Sequence, residues 1–297
     1  MPETKPNLWV EGPLLALLAL LWGSSYLFLK IAVAEIPPFT LIAIRVSIAT
    51  LFLLIVVAVR NDRLPSDART WGKLLIQSML NSILAWTILA WGQQYVDSSL
   101  ASVLNSTAPI FVFFITLLIT RHEHISPLKL GGALLGLIGV VLIVGTEALN
   151  GFGTQLAGAL AALTGALLYA CAAIYGKNFA HLSPAVTSAT TMIWATVWLV
   201  PLSLAFDQPW TLRPSPEALI AASILAVFCT GGALLIYFRL VNTLGSLGVT
   251  SQAYLRAGVG VVLGVVFLGE HITPMIGLGL GAALLGVVAI NLPARPK

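Results

Sequence analysis

A five-residue stretch that occurs twice constrains the fold of this chain more than any other feature. Glu123–Pro127 returns as Glu270–Pro274, with Ser126 replaced by Thr273. From 123 to 270 the separation is 147 residues, about half of the 297 in the chain. Solenoid repeats have periods of about 20 to 50 residues, so a period this long indicates duplication of a whole unit. We predict two related halves, residues 1–150 and 151–297.

The same offset relates residues elsewhere in the chain without adjustment. The matching pairs are Lys30 and Lys177, Pro37 and Pro184, Thr40 and Thr187, Ser99-Leu100 and Ser246-Leu247, Gly132 and Gly279, and Gly139-Val140-Val141 and Gly286-Val287-Val288. Matches spread over both halves favour duplication over coincidence.

Hydrophobic composition places both halves in a membrane. Hydrophobic residues make up 58% of the chain and charged residues 9%, against about a quarter charged in globular domains. About 20 apolar residues are needed for a helix to cross the bilayer. We predict an all-α polytopic membrane protein with ten such helices, at about 13–34, 38–59, 72–95, 99–120, 128–146, 155–177, 184–206, 217–240, 247–268 and 274–292. The first run is too long for the apolar core of a signal peptide.

Loop charges predict the orientation. Of the fifteen Lys and Arg residues, eleven fall on the side shared by both termini, and only Lys30 and Arg213 fall on the other side outside the helices. Positive loops stay in the cytoplasm, so we predict cytoplasmic termini. Five helices per half is an odd number, which requires the halves to have opposite topology. Inverted repeats typically surround a substrate site near the midplane, so the sequence indicates a transporter that works by alternating access.

Several motifs in this order resemble the EamA-type branch of the drug/metabolite transporter superfamily, which has ten helices. They are Trp22-Gly23-Ser24-Ser25, Arg45, Pro109 in a run rich in Ala and Ser, and a Glu after helices four and nine. The resemblance implies export of small metabolites, often amino acids including aromatic ones, across the bacterial inner membrane. It also implies a central cavity among helices one, three, four, six, eight and nine. One departure is Arg256, which stands where the family has a proline equivalent to Pro109.

Polar and aromatic residues in these helices supply the candidate site. Polar side chains inside a bilayer usually face protein or a water-filled cavity, and they recur here along one face of helices three and four. The offset pairs Asn105 with Gln252 and Trp22 with Tyr169. Interhelical hydrogen bonds and core packing remain an alternative explanation for the same residues. The predicted substrate-binding residues are Trp22, Ser24, Ser78, Asn81, Ser82, Trp86, Ser102, Asn105, Tyr169, Gln252 and Arg256.

Two arginines lie within the predicted helices. Arg256 is near the centre of helix nine, where an arginine costs about 2.5 to 3.5 kcal/mol on insertion scales. We expect its guanidinium to bind a substrate carboxylate, the alternative being backbone carbonyls and hydroxyls. Arg45 lies about a third of the way into helix two, within reach of the outer surface, and its counterpart is Met192. We expect Arg45 to snorkel to the surface in a structural role.

Glycines suggest two further roles. Helices five and ten carry Gly132, Gly139 and Gly286 among others, so we expect them to pack closely as a scaffold. In helix nine, Gly258, Gly260 and Gly264 are candidate gating positions.

Enzyme chemistry has little support in the sequence. The four histidines, in connections, have no ligand spacing, and no Walker motif is present, so we expect no metal, cofactor or catalytic residue. The expected partners are a small-molecule substrate and the lipid bilayer, without nucleic acid, and the expected state is a monomer. Helix interiors contain no Asp or Glu, which favours facilitated diffusion over proton antiport. A proton-coupled exporter of drugs or other metabolites, and a membrane-embedded enzyme or lipid-handling protein, remain the alternatives.

Overall fold

A computed structural model describes residues 7–92, 95, 104–120, 126–144, 156–256, 258–259 and 274–292. These residues form helices joined by short connections, without a β-strand in the described part. In chain order the helices are α1, Leu8–Val33; α2, Pro38–Val59; α3, residues 68–92; α4, which includes Ala108–Ile115 and Thr116–Thr120; α5, Pro127–Val144; α6, Leu156–Gly176; α7, Pro184–Phe206; α8, Pro216–Thr243; α9, which begins with Gly245–Thr250; and α10, Pro274–Asn291.

Six of these helices, α1, α2, α3, α6, α7 and α8, are long and apolar enough to cross a membrane. The described parts of α4, α5 and α10 form shorter apolar helices. The positions at which α2, α7 and α8 start can be read from prolines in the sequence. Pro38, Pro184 and Pro216 occupy the first helical turn, where a missing N–H costs nothing. The prediction of an all-helical membrane protein is therefore confirmed.

Helices α2 and α7, which are counterparts under the offset of 147, pack against each other in opposite directions. At one end, the backbone N–H of Thr40 donates to Asp207 at 2.7 Å. At the other end, the hydroxyl of Ser183 donates to Asp62, also at 2.7 Å. The start of each helix therefore meets the end of its counterpart. A carboxylate beyond each helix thus binds the first turn of the other, where the helix dipole favours negative charge.

Among the described residues, helices α5 and α10 make the most extensive helix–helix contact, as the glycine pattern predicted. A Cβ added to Gly139 would stand 2.5 Å from the backbone nitrogen of Ala283, and one added to Gly286 would stand 2.6 Å from the carbonyl oxygen of Gly132. Backbone touches backbone because no side chain intervenes, as in other small-residue membrane interfaces. Gly131 faces open space and takes no part in the contact.

Regular helix geometry is interrupted in counterpart helices of the two halves. Helix α3 contains a π-helical turn at Met79–Ile83, and α8 contains one at Val227–Gly232. Residues 79–83 map by the offset onto 226–230, so the two turns overlap. Helix α4 is broken by a turn at residues 106–107 and α9 by a turn at Ser251. Such π-turns are frequent at functional sites, and broken helices often border the substrate sites of transporters.

Candidate functional site

A cavity of about 150 Å³ lies between the two halves, beside these interruptions. Its wall contains side chains from α1, α2, α3, α4, α6, α8 and α9. By volume it matches an engineered protein cavity that holds benzene, so a small organic molecule fits inside. Seven of the residues predicted to bind substrate line it: Trp22, Asn81, Trp86, Asn105, Tyr169, Gln252 and Arg256.

Three of the predicted serines lie outside this wall and bind within the protein. The hydroxyl of Ser24 donates to the carbonyl of Leu21 at 3.2 Å, and that of Ser78 donates to the carbonyl of Thr191 in α7 at 2.8 Å. The hydroxyl of Ser82 accepts a bond from its neighbour Asn81 at 3.3 Å. The hydroxyl of Ser78 thus joins α3 to α7. Interhelical hydrogen bonding was the alternative explanation for the polar residues of helices three and four.

The remaining predicted positions are in helices four and nine. Ser102, Gly260 and Gly264 lie outside the described residues. Gly258 is described, and a Cβ added there would stand 2.9 Å from the side chain of Leu280 in α10. Gly258 therefore lies at the contact between α9 and the α5–α10 pair.

Asn105 and Gln252, which the offset relates, face the cavity from the breaks in α4 and α9. These two residues are only 6% and 5% exposed. The amide oxygens of both, Oδ1 of Asn105 and Oε1 of Gln252, have no hydrogen-bond partner among the described residues. A buried acceptor left unpaired costs about 1 to 3 kcal/mol. Two such oxygens on a cavity wall are therefore suited to a ligand that donates hydrogen bonds.

Arg256 reaches the cavity from α9. Its guanidinium carbon lies 6.0 Å from the ring centre of Trp22, within range of a cation–π attraction. It makes no hydrogen bond or ion pair with any residue that the structure describes. A planar guanidinium whose donors have no partner among the described residues is suited to bind a carboxylate, which can accept two parallel hydrogen bonds from it.

Arg45 also lines the cavity, which corrects the expectation that it snorkels to the surface. Its guanidinium carbon lies 4.2 Å from the ring centre of Trp86, and its Nε donates to the hydroxyl of Thr230 at 2.6 Å. That hydroxyl in turn donates to the carbonyl of Leu225 at 2.9 Å, five residues earlier. The π-turn of α8 exposes this carbonyl and so holds Arg45. Sequence reasoning missed this because a π-turn leaves no signature in hydrophobic periodicity.

Tyr237 is a second wall residue that the candidate set left out. Its ring centre lies 5.5 Å from that of Trp22, and it is buried in α8. Its counterpart under the offset is Ala90, so the repeat gave no signal for it.

The charge of the cavity wall is positive. Among the acidic residues that the structure describes, none lines the cavity. They lie towards the helix ends instead: Glu11, for example, pairs with Arg239 at 2.9 Å, and Glu35 binds the start of α8. Metal binding also lacks a donor set, because no three His, Cys, Asp or Glu residues of the described ranges come together. An anion-binding site is what this charge distribution favours.

Comparison with known proteins assigns the chain to a family. The model of the EamA-like transporter family matches it twice, over residues 11–145 and 156–292. The chain is 29% identical to the uncharacterized inner membrane transporter YedA of Escherichia coli K12, over 96% of this chain and 93% of YedA. It is 27% identical to the uncharacterized transporter YoaV of Bacillus subtilis, over 90% of each.

A solved crystal structure shares the fold. It covers 97% of this chain and 99% of its own, with a TM-score of 0.81 at 16% identity. Two family matches in tandem, one in each half, agree with the repeat read from the sequence. With its helical membrane fold and a cavity between the halves, the chain belongs to the EamA-like transporter family.

Proposed function

We propose that this protein exports small metabolites, most favourably amino acids including aromatic ones, across the bacterial inner membrane. The observation that carries the proposal is the cavity between the halves, where the amide oxygens of Asn105 and Gln252, unpaired among the described residues, face the same space as Arg256. An amino acid offers the complementary groups, because its ammonium donates hydrogen bonds and its carboxylate accepts them. Trp22 and Tyr169 add apolar faces for a side chain.

Alternating access accounts for the movement of the substrate. The antiparallel contact of α2 with α7 supports halves of opposite topology, and ten helices with cytoplasmic termini fit that arrangement. In such proteins the halves exchange conformations, so that one site opens to either side in turn. The cavity supports one site per monomer. The name of YedA as an inner membrane transporter supports the location.

The proposed transport is facilitated diffusion down the substrate gradient. A proton-coupled carrier usually needs a carboxylate or histidine within the membrane to carry the proton. The described wall of the cavity contains neither group. Proteoliposomes loaded with an amino acid should therefore release it at the same rate with and without an imposed pH gradient. A rate that follows the pH gradient would contradict facilitated diffusion.

Arg256→Gln tests the binding role within the same assay. A hydrogen bond to a charged group is worth about 1.5 to 3 kcal/mol, so the variant should raise the half-saturating concentration about tenfold to hundredfold. Arg213→Gln is the matched control, since Arg213 is exposed and lies outside the cavity. Equal transport by wild type and Arg256→Gln, at equal protein levels, would contradict the proposal.

A further inference from the structure

We propose that Tyr254 is a positioning residue, which fixes the segment of α9 that carries Gln252 and Arg256 and so sets the preference of the cavity for a carboxylate. The inference rests on the proposed function, because that preference concerns the same cavity. Tyr254 is not part of the described cavity wall. Its side chain lies against α5 instead.

The α9 segment from Ser251 to Arg256 has two faces with different neighbours. Residues 252–256 are helical, and Gln252 and Arg256 are four positions apart, so they share the face that lines the cavity. Ser251 and Tyr254 are three positions apart and contact the α5–α10 pair. The contacts of the second face therefore determine where the side chains of the first face stand.

Tyr254 is held through both its ring and its hydroxyl. The residue is fully buried, and its hydroxyl donates to the carbonyl of Ala133 in α5 at 2.8 Å. A Cβ added to Gly136 would overlap its ring, so the ring fills the space that this glycine leaves open. A buried tyrosine ring in close packing, with its hydroxyl hydrogen-bonded, has little room to shift.

A hydrogen bond from α10 holds the start of the same segment. Nδ2 of Asn291 donates to the hydroxyl of Ser251 at 3.1 Å, and that hydroxyl donates to the carbonyl of Gly248 at 2.6 Å. The segment is thus tied to α10 at Ser251 and to α5 at Tyr254. Contacts with two different helices oppose rotation of the segment about its axis. Rotation by one residue, about 100°, would turn Arg256 away from the cavity.

The first half has a different arrangement at the corresponding positions. Thr107 is the counterpart of Tyr254, and Pro109 is the counterpart of Arg256. The hydroxyl of Thr107 donates locally, to the carbonyl of Leu104 at 2.6 Å. The half that contains the arginine therefore also contains the aromatic anchor, as expected if the anchor serves the arginine.

The experiment measures the preference for a carboxylate over the corresponding amide. Phenylalanine is compared with phenylalaninamide, and 3-phenylpropionate with 3-phenylpropionamide, by quenching of tryptophan fluorescence in the purified full-length protein. In wild type the carboxylate of each pair should bind about tenfold to hundredfold more tightly. Tyr254→Phe removes only the hydroxyl, and we expect both ratios to fall at least about threefold.

Two glycine variants in α5 provide a second perturbation and its control. Gly136→Ala displaces the ring of Tyr254, so it should also lower both ratios at least about threefold. Gly131 faces open space on the same helix, so Gly131→Ala should keep both ratios. A purely structural role for Tyr254 would change stability but not the ratios, because both ligands of a pair are measured in the same folded protein.

A double variant tests whether Tyr254 acts through Arg256. The ligand is 3-phenylpropionate, whose carboxylate is its only charged group. Tyr254→Phe should weaken its binding at least about threefold when Arg256 is present, and less than about twofold when Arg256 is already replaced by glutamine. Equal weakening in both backgrounds would overturn the positioning role.

The ligand pairs separate failure of this inference from failure of the proposed function. If neither phenylalanine nor its amide binds, but the phenylpropionate pair responds to Tyr254→Phe as expected, amino acid export is wrong and the positioning role stands. If both ratios are unchanged in Tyr254→Phe and in Gly136→Ala, the positioning role is wrong whatever is transported.

Discussion

Replacement of Gly139 by leucine tests whether the contact between α5 and α10 is the scaffold of the fold. A Cβ at this position would lie 2.5 Å from the nitrogen of Ala283 and 2.7 Å from the oxygen of Gly279, whereas ordinary contact begins at 3.4 Å. The obstructing atoms belong to the backbone, so no side chain can rotate away. The two helices must therefore separate by about 1 Å before the leucine fits.

The magnitude follows from two opposing effects. Overpacking costs about 1 to 3 kcal/mol, and four added carbons against backbone place Gly139→Leu at the upper end. Replacing a glycine inside a helix by leucine stabilises the helix by about 0.8 kcal/mol through its higher helix propensity. The net loss is about 2 kcal/mol, and at roughly 2 to 4 °C per kcal/mol this lowers the melting temperature by about 4 to 8 °C.

The same helix contains a matched control. Gly131 faces open space, so Gly131→Leu makes the same chemical change without the clash. Thermal unfolding of both variants in one detergent, followed by tryptophan fluorescence, should leave Gly131→Leu within about 2 °C of wild type or above it. Equal melting temperatures for the two variants would refute the close contact of α5 with α10.

Three further predictions concern interactions at the site and at the helix ends. Thr230→Val removes the acceptor of Arg45 Nε, and it should cost about 1 to 3 kcal/mol in thermal unfolding, with Thr243→Val as an exposed control. Glu11→Gln should cost about 1 to 2 kcal/mol in the same assay, because Glu11 is buried while its partner Arg239 is half-exposed. Two hydrogen bonds, from the backbone N–H and the hydroxyl of Ser215, hold the pKa of Glu35 below its ordinary 4.5. A carboxylate whose pKa is lowered by folding stabilises the protein at pH values above its ordinary pKa, and this stabilisation is lost as the pH falls through the lowered pKa. The difference in melting temperature between wild type and Glu35→Gln should therefore be largest at pH 7 and shrink in acid. An unchanged melting temperature in Thr230→Val or Glu11→Gln, or a Glu35→Gln difference that grows in acid, would contradict these assignments.

The repeat predicted the features that depend on symmetry. Asn105 and Gln252 are related by the offset, and both line the cavity. Trp22 and Tyr169 are related in the same way and also line it. Close packing of α5 on α10 could also be predicted, because glycines spaced along two apolar membrane helices allow their backbones to approach closely. These inferences needed only residue identity and spacing, which the chain displays directly.

Features that depend on local helix geometry could not be predicted in this way. A π-turn inserts one residue into α3 between Gln77 and Trp86, so a face drawn with regular periodicity no longer points one way. Asn81 therefore lines the cavity, while Ser78 binds α7. Arg45 was assigned to the surface for a related reason. Its partner Thr230 is 185 positions away and is exposed to it by the π-turn of α8.

The central claim is that two halves of opposite topology enclose the cavity. The exposed positions Arg63 and Arg213 lie in corresponding connections, after α2 and after α7. Each is replaced by cysteine in a variant that lacks Cys171 and Cys229, and a membrane-impermeant maleimide is applied to intact cells and to inverted vesicles. We expect labelling of position 213 in cells and of position 63 in inverted vesicles. Labelling of both positions from the same side would contradict it.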